Sequence, residues 1–369
     1  MFGELFANNG GKGDSESEIG YGPLLTALTD HAKNGAYPGH MPGHKRVSLG
    51  FPDPYSIDIT EIEGFDDLHH PEGLIKDLED RIARIYGVKT AIISVNGSTA
   101  GNLACIHAAV PRRGTGVVSF ERHRSVDHAM SLREASEIGL ADWLAAGARA
   151  GAVIVTSPGY NGECYDIKKL SEICHERGVP LIVDAAHGAH LGFHPYFPDH
   201  PAHQGADAVI TSLHKTLPAF TQTSCILIPE GSRIREREVR RWMDVFETSS
   251  PSYILMAGIE RCMDYLEQRG QQAFIKYASE LERLYDEARS WKKLKLRDYR
   301  DYMRSGPADA TGVDYVAVDP GKLVISGDGL TGEEVAQILR SEYHVEPERV
   351  LSHEALVMTS LCDDFSLNY

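Results

Sequence analysis

Lys215 lies in the segment Ser212-Leu213-His214-Lys215-Thr216-Leu217-Pro218, and an acid-bearing segment, Val183-Asp184-Ala185-Ala186-His187-Gly188-Ala189-His190, precedes it. A lysine amine set among small hydroxyl residues and a histidine suits Schiff-base formation with an aldehyde. An aspartate at the end of an apolar, strand-like run suits the protonated nitrogen of a pyridine ring, which then serves as an electron sink. Together these are the requirements of pyridoxal 5'-phosphate (PLP) chemistry. Taken singly, Lys215 reads as a solvated surface lysine and Asp184 as a turn or cap residue. The pairing carries the reading.

A third segment, Ala91-Ile92-Ile93-Ser94-Val95-Asn96-Gly97-Ser98-Thr99-Ala100-Gly101-Asn102, supplies what the other two lack. Its apolar run predicts a buried strand. The Gly97-Ser98-Thr99 loop that follows would bring backbone N–H groups and two hydroxyls to a helix N-terminus, where the dipole favours an anion such as a phosphate. An ordinary Ser/Thr helix cap is the alternative for this segment in isolation. The loop is neither a Walker A sequence nor a GxGxxG fingerprint, so nucleotide readings are weak. His187 and His190 have i,i+3 spacing, and His40 and His44 share a loop, but neither pair has an evident third metal ligand. No metal is expected.

At these residues the chain resembles the PLP-dependent ornithine/lysine/arginine decarboxylases, which have the aspartate aminotransferase type of fold (fold type I). The ordered motifs run from Met41-Pro42-Gly43-His44-Lys45 through Asp58-Ile59-Thr60-Glu61, Asp66-Asp67-Leu68-His69, Asn96-Gly97-Ser98-Thr99, His123-Arg124-Ser125 and Thr156-Ser157-Pro158. They continue through Asp184 to His190 and Ser212 to Thr216, and end at Thr248-Ser249-Ser250-Pro251-Ser252-Tyr253. The resemblance implies that Lys215 forms the Schiff base, Asp184 pairs with the pyridine nitrogen and His123 stacks on the ring. It implies that Ala186 lies against the other face beside His187, and that Ser98, Thr99, Ser212 and His214 bind phosphate. It implies α-decarboxylation of lysine, arginine or ornithine to the amine and carbon dioxide, a place in polyamine biosynthesis, and a homodimer or larger homo-oligomer in which Thr248 to Tyr253 reach the partner's site.

The sequence departs from the family pattern in places. Met130–Thr156 reads as short: the family usually has a further strand and helix here, whereas Ser131–Arg149 predicts one Ala-rich helix. Arg124 follows His123 where the family typically has Lys, and the family continues with C-terminal helices where this chain stops. The alternatives are therefore a PLP-binding or partner-binding homologue without turnover, or a PLP enzyme of another reaction type, an aminotransferase or lyase. Glu61, Asp66 and Asp67 are either acidic contacts to a cationic substrate or a solvated loop.

The elements that must hold these residues follow from periodicity. Residues Leu74 to Tyr86 have apolar positions at helical spacing, ended by Gly87. Strands are predicted at 91–95, 116–120, 153–156, 181–184, 208–211 and 224–228, separated by helices near 103–110, 126–138 and 167–177. Such alternation predicts an α/β fold with a mostly parallel sheet covered on both faces. Ligands in such sheets bind at the carboxyl ends of strands, where Val95, Phe120, Thr156, Asp184 and Thr211 fall. Beyond a long helix at 252–268 and another at 271–291, shorter strands and the helix 331–342 predict a smaller α+β part. The expected organisation is an N-terminal tail and arm at 1–50, a large PLP-binding domain at 51–250 and a smaller domain at 251–369. Of this, Met1 to Ser17 read as a flexible tail.

Composition excludes several partner classes. Of 369 residues, 42% are hydrophobic and 24% charged, as in a globular protein. The net charge of −16 argues against a nucleic-acid partner and is compatible with a cationic substrate. Six scattered cysteines suggest free thiols in a reducing compartment. With no apolar run of membrane-spanning length, the expectation is a cytoplasmic protein without membrane contacts.

Overall fold

The computed structural model describes residues 22–110, 115–146, 149–301 and 315–364. The tail predicted over Met1–Ser17 lies outside them. The chain divides between Tyr37 and Pro38 into two units. The first carries one helix, Pro23–Lys33, with no buried residue.

The second unit is built on a seven-stranded sheet. Its spatial order is Thr90–Ser94, Ser224–Ile228, Ala208–Ser212, Leu181–Asp184, Ala152–Thr156, Val117–Phe120 and Glu137–Ile138. Ser224–Ile228 runs antiparallel to both of its neighbours, and the other pairings are parallel. The strands are mainly apolar because both faces are covered. Ile93, Val153, Val155, Val183, Val209 and Leu227 point into one core, while Ile92, Ile154, Ile182, Ile210 and Ile226 point into the core on the opposite face. That alternation is the two-residue period of a strand. A second sheet of four strands is antiparallel, in the order Lys295–Leu296, Lys322–Ser326, Glu354–Met358 and Arg349–Val350. Helices Gln271–Ala288 and Gly332–Glu342 complete this smaller α+β part, and its Leu323, Ile325, Ala355 and Val357 join the same core as the large sheet.

Two expectations are corrected. The segment expected to be short of a strand and a helix contains both: the helix expected to reach Ile138 ends at Arg133, Glu137–Ile138 pairs as a parallel edge strand, and Leu140–Ala146 is the following helix. The helix stops because Glu134 turns into the left-handed region, its N–H closing onto Met130 and Ser131. A two-residue edge strand leaves no periodicity to read. The second correction concerns Gly97–Ser98–Thr99, which forms the first turn of the helix Gly97–Ala109 and not a loop ahead of it. Gly97, at φ +70°, makes the turn from strand to helix. One turn later Gly101 lets the helix lie against the sheet, since a Cβ there would sit 2.9 Å from Ile210 Cγ2.

Candidate active site

The carboxyl ends of the parallel strands share one edge, and the predicted residues follow those strand ends. Asp184 ends its strand and is 1% exposed. Its Oδ2 accepts from Asn102 Nδ2 at 2.7 Å and its Oδ1 from the Ala186 N–H at 3.1 Å. Both donors are neutral, and no Lys, Arg or His nitrogen is paired with it within 4 Å among the described residues. A buried carboxylate in this state has strong remaining affinity for a cationic N–H. Asn102, which the sequence reading passed over, also donates to Ser125 Oγ at 2.8 Å and so ties the carboxylate to two helices.

Ser98 and Ser212, distant in sequence, meet with 2.6 Å between their hydroxyl oxygens. Ser98 sits in the first turn of Gly97–Ala109, whose cap residue Asn96 makes no side-chain cap bond. The helix N-terminus therefore keeps N–H groups that a phosphate can take. Thr99 is exposed at the same end. His214 turns its Nδ1 to the Thr223 carbonyl at 2.9 Å, which holds the short helix Leu213–Thr216 against the adjacent strand.

Lys215 is half-buried on that short helix, with Nζ 3.1 Å from His187 Nε2. Burial lowers its pKa, opposed by the charges of Asp184 and Glu348. His187 is fully enclosed, and burial, followed by the nearby charge of Lys322 and of Lys215, drives its pKa well below the ordinary value. The Tyr160 ring stands 4.6 Å from the imidazole, and its hydroxyl donates to Glu348 Oε1 at 2.7 Å. Ala186 is buried beside Asp184. His123 caps helix Arg124–Arg133 through Nδ1, which accepts from Ser125 N at 3.2 Å, and its ring is exposed. The arrangement thus offers an amine, a buried carboxylate and an anion-binding helix end, which are the groups a PLP molecule requires.

Other residues are structural. Asp66 receives backbone N–H groups of Asp67, Glu72, Gly73, Ile75 and Lys76, so it organises the entry to helix Leu74–Tyr86 from the loop before it. His190 pairs with Asp319 at 3.1 Å, both buried. No group of three His, Cys, Asp or Glu side chains is disposed to hold a metal among the described residues. Lys322, Tyr160 and Glu348 escaped the sequence reading. The available signal was a lysine opening the strand Lys322–Ser326 just ahead of the apolar, buried Leu323, Val324 and Ile325.

Fold and site together define a protein of the fold-type-I architecture found in PLP-dependent enzymes. Lysine decarboxylase A from Pseudomonas aeruginosa has the same fold, with a TM-score of 0.72 at 20% identity over 93% of this chain and 58% of that one. Residues 22–144 and 140–366 match the family described as Orn/Lys/Arg decarboxylase, major domain, and the chain belongs to that family. An uncharacterised Bacillus subtilis protein, YaaO, is 34% identical over 66% of this chain and 56% of its own length. The arginine decarboxylase of Halalkalibacterium halodurans is 28% identical over 92% of this chain and 74% of its own. The chain thus spans a little over half the length of YaaO and of the Pseudomonas enzyme.

Proposed function

We propose that the chain binds PLP and catalyses α-decarboxylation of a basic amino acid, arginine or lysine, giving the amine and carbon dioxide. The observation that carries this is Asp184: a buried carboxylate with only neutral donors, on the same sheet edge as Lys215. When bound, PLP supplies a pyridine ring that accepts the electrons released as the carboxylate leaves. The chain's own residues do the rest. Asp184 would keep the ring nitrogen protonated, Ser98, Thr99 and Ser212 would hold the phosphate with the first-turn N–H groups, and His123 would stack on the ring. Lys215 would supply the amine that holds the cofactor and could carry a proton to the substrate α-carbon. Arginine leads because relatives named arginine decarboxylase align over 92% and 88% of this chain. Homodimer formation, with Thr248 to Tyr253 completing the partner's site, and a place in polyamine formation belong to the same reading.

The test loads the protein with PLP and measures carbon dioxide released from carboxyl-labelled arginine, lysine and ornithine, with Lys215→Ala alongside. Release from one substrate, lost in the variant, is expected. Bound PLP without release from any would overturn the decarboxylase reading, and an α-keto acid in place of an amine would reassign the protein to transamination.

A further inference from the structure

The Lys215–His187 contact does not end at the imidazole. On the far side of the ring, Lys322 Nζ lies 3.0 Å from His187 Nδ1. Two lysines therefore address the two nitrogens of one histidine, and both Lys322 and His187 are buried, at 3% and 4% exposure. The three groups come from separate parts of the fold: the helix Leu213–Thr216, the turn after the strand Leu181–Asp184, and the first residue of a strand in the smaller sheet.

Proton counting restricts this chain. A neutral imidazole has one N–H and one lone pair, and an ammonium has donors only. Two ammonium groups cannot both donate to it, so at least one lysine accepts from the ring as a neutral amine. Asp319 decides which. It lies on the turn leading into Lys322, is 1% exposed, and bonds His190 Nε2 and the Gly321 N–H through Oδ1. Its buried Oδ2 has no hydrogen-bond partner among the described residues, so the turn carries a carboxylate with unused accepting capacity. Each oxygen of Asp184, the carboxylate nearest in role to Lys215, accepts one neutral donor, whereas Asp319 Oδ2 accepts none among the described residues.

We infer that Lys322 is a positioning residue that, as the cation of this chain, fixes His187 in its Nε2–H form and holds Lys215 as a neutral amine ready to attack an aldehyde. Lys322 donates to Nδ1, and Nε2–H donates to the Lys215 lone pair. His187 is faced by Lys322, Lys215, His123 and His214, which with burial keep it neutral. Burial lowers Lys322 to about 8, with Asp319 and Glu348 opposing and Lys215 and Lys45 reinforcing. Lys215 is lowered by burial against Asp184 and Glu348.

The inference deepens the PLP reading, and its first measurement is independent of that reading. Nitrogen-15 NMR of the histidine-labelled, cofactor-free protein at pH 7, with His187 assigned by loss of its signal in His187→Gln, reports the tautomer. The Nε2–H form is expected in the parent protein and in Lys322→Arg, and its loss in Lys322→Met. The second readout is the pH midpoint for the rate of PLP attachment, followed by absorbance. It should rise by at least about one unit in Lys322→Met, where Lys215 becomes the donor to His187, and stay near the parent value in Lys322→Arg. An Nδ1–H or doubly protonated His187 in the parent protein overturns the inference, as does an unchanged midpoint in a folded Lys322→Met. A protein that takes up no PLP would refute the cofactor reading, while the tautomer would still decide this one.

Discussion

Replacing Asp184 with Asn separates cofactor binding from folding. In the parent protein the carboxylate is 1% exposed and accepts two hydrogen bonds, from Asn102 Nδ2 at 2.7 Å and from the Ala186 N–H at 3.1 Å. An asparagine has one accepting oxygen, so its amide group must face one of those donors. That mismatch costs about 1–3 kcal/mol, offset in part because a charge no longer has to be buried. The cofactor-free variant should therefore lie within about 2 kcal/mol of the parent. With PLP the outcome differs. Losing a charge-assisted bond to the ring nitrogen removes about 1.5–3 kcal/mol, which weakens binding by roughly 10- to 150-fold. At a PLP concentration about 100 times the parent Kd, the parent gains about 2.7 kcal/mol of stability, whereas a variant bound 100-fold more weakly gains about 0.4 kcal/mol. Urea unfolding of both proteins, with and without PLP, reads the difference. If the variant gains as much from PLP as the parent does, the assignment of Asp184 to the ring nitrogen is wrong.

Three further outcomes rest on the structure alone. The buried Lys45 ammonium donates to the carbonyls of Pro38, His40 and Met358 at 2.9, 2.7 and 2.7 Å; Lys45→Met leaves three carbonyls unpaired, and a loss of about 2–4 kcal/mol is expected in urea unfolding, with relief of the buried charge limiting it. Asp66→Ala removes an acceptor from five backbone N–H groups at the entry to helix Leu74–Tyr86 and should cost about 1–2 kcal/mol; an unchanged unfolding midpoint would show that those groups find water instead. Asp298 is opposed by burial, but Arg300 and Arg289 hold its carboxyl at about 2. Because the folded-state value is the lower one, its contribution is present above about pH 4 and fades as pH falls toward 2, so the stability gap between the parent and Asp298→Asn should shrink over that interval.

Much of this was legible in the sequence because it is local. The strands Leu181–Asp184 and Ser224–Ile228 and the helix Leu74–Tyr86 occupy the residues that periodicity assigned them. Each is long enough, or bounded sharply enough by Gly or Asp, for pattern to decide. Residue type and order likewise pointed to Lys215, Asp184 and the Ser98 segment as one chemical set. Tertiary structure decided what no local pattern encodes. It placed Ser98 against Ser212, gave Asp184 the Asn102 amide, and made Asp66 a helix-entry acceptor. It also paired Glu137–Ile138, a strand too short to have a period, and set Lys322 against His187. Sequence constrains which groups can donate, accept or carry charge. Which of them meet depends on the sheet order that brings distant strand ends to one edge, and on the packing that removes water between them.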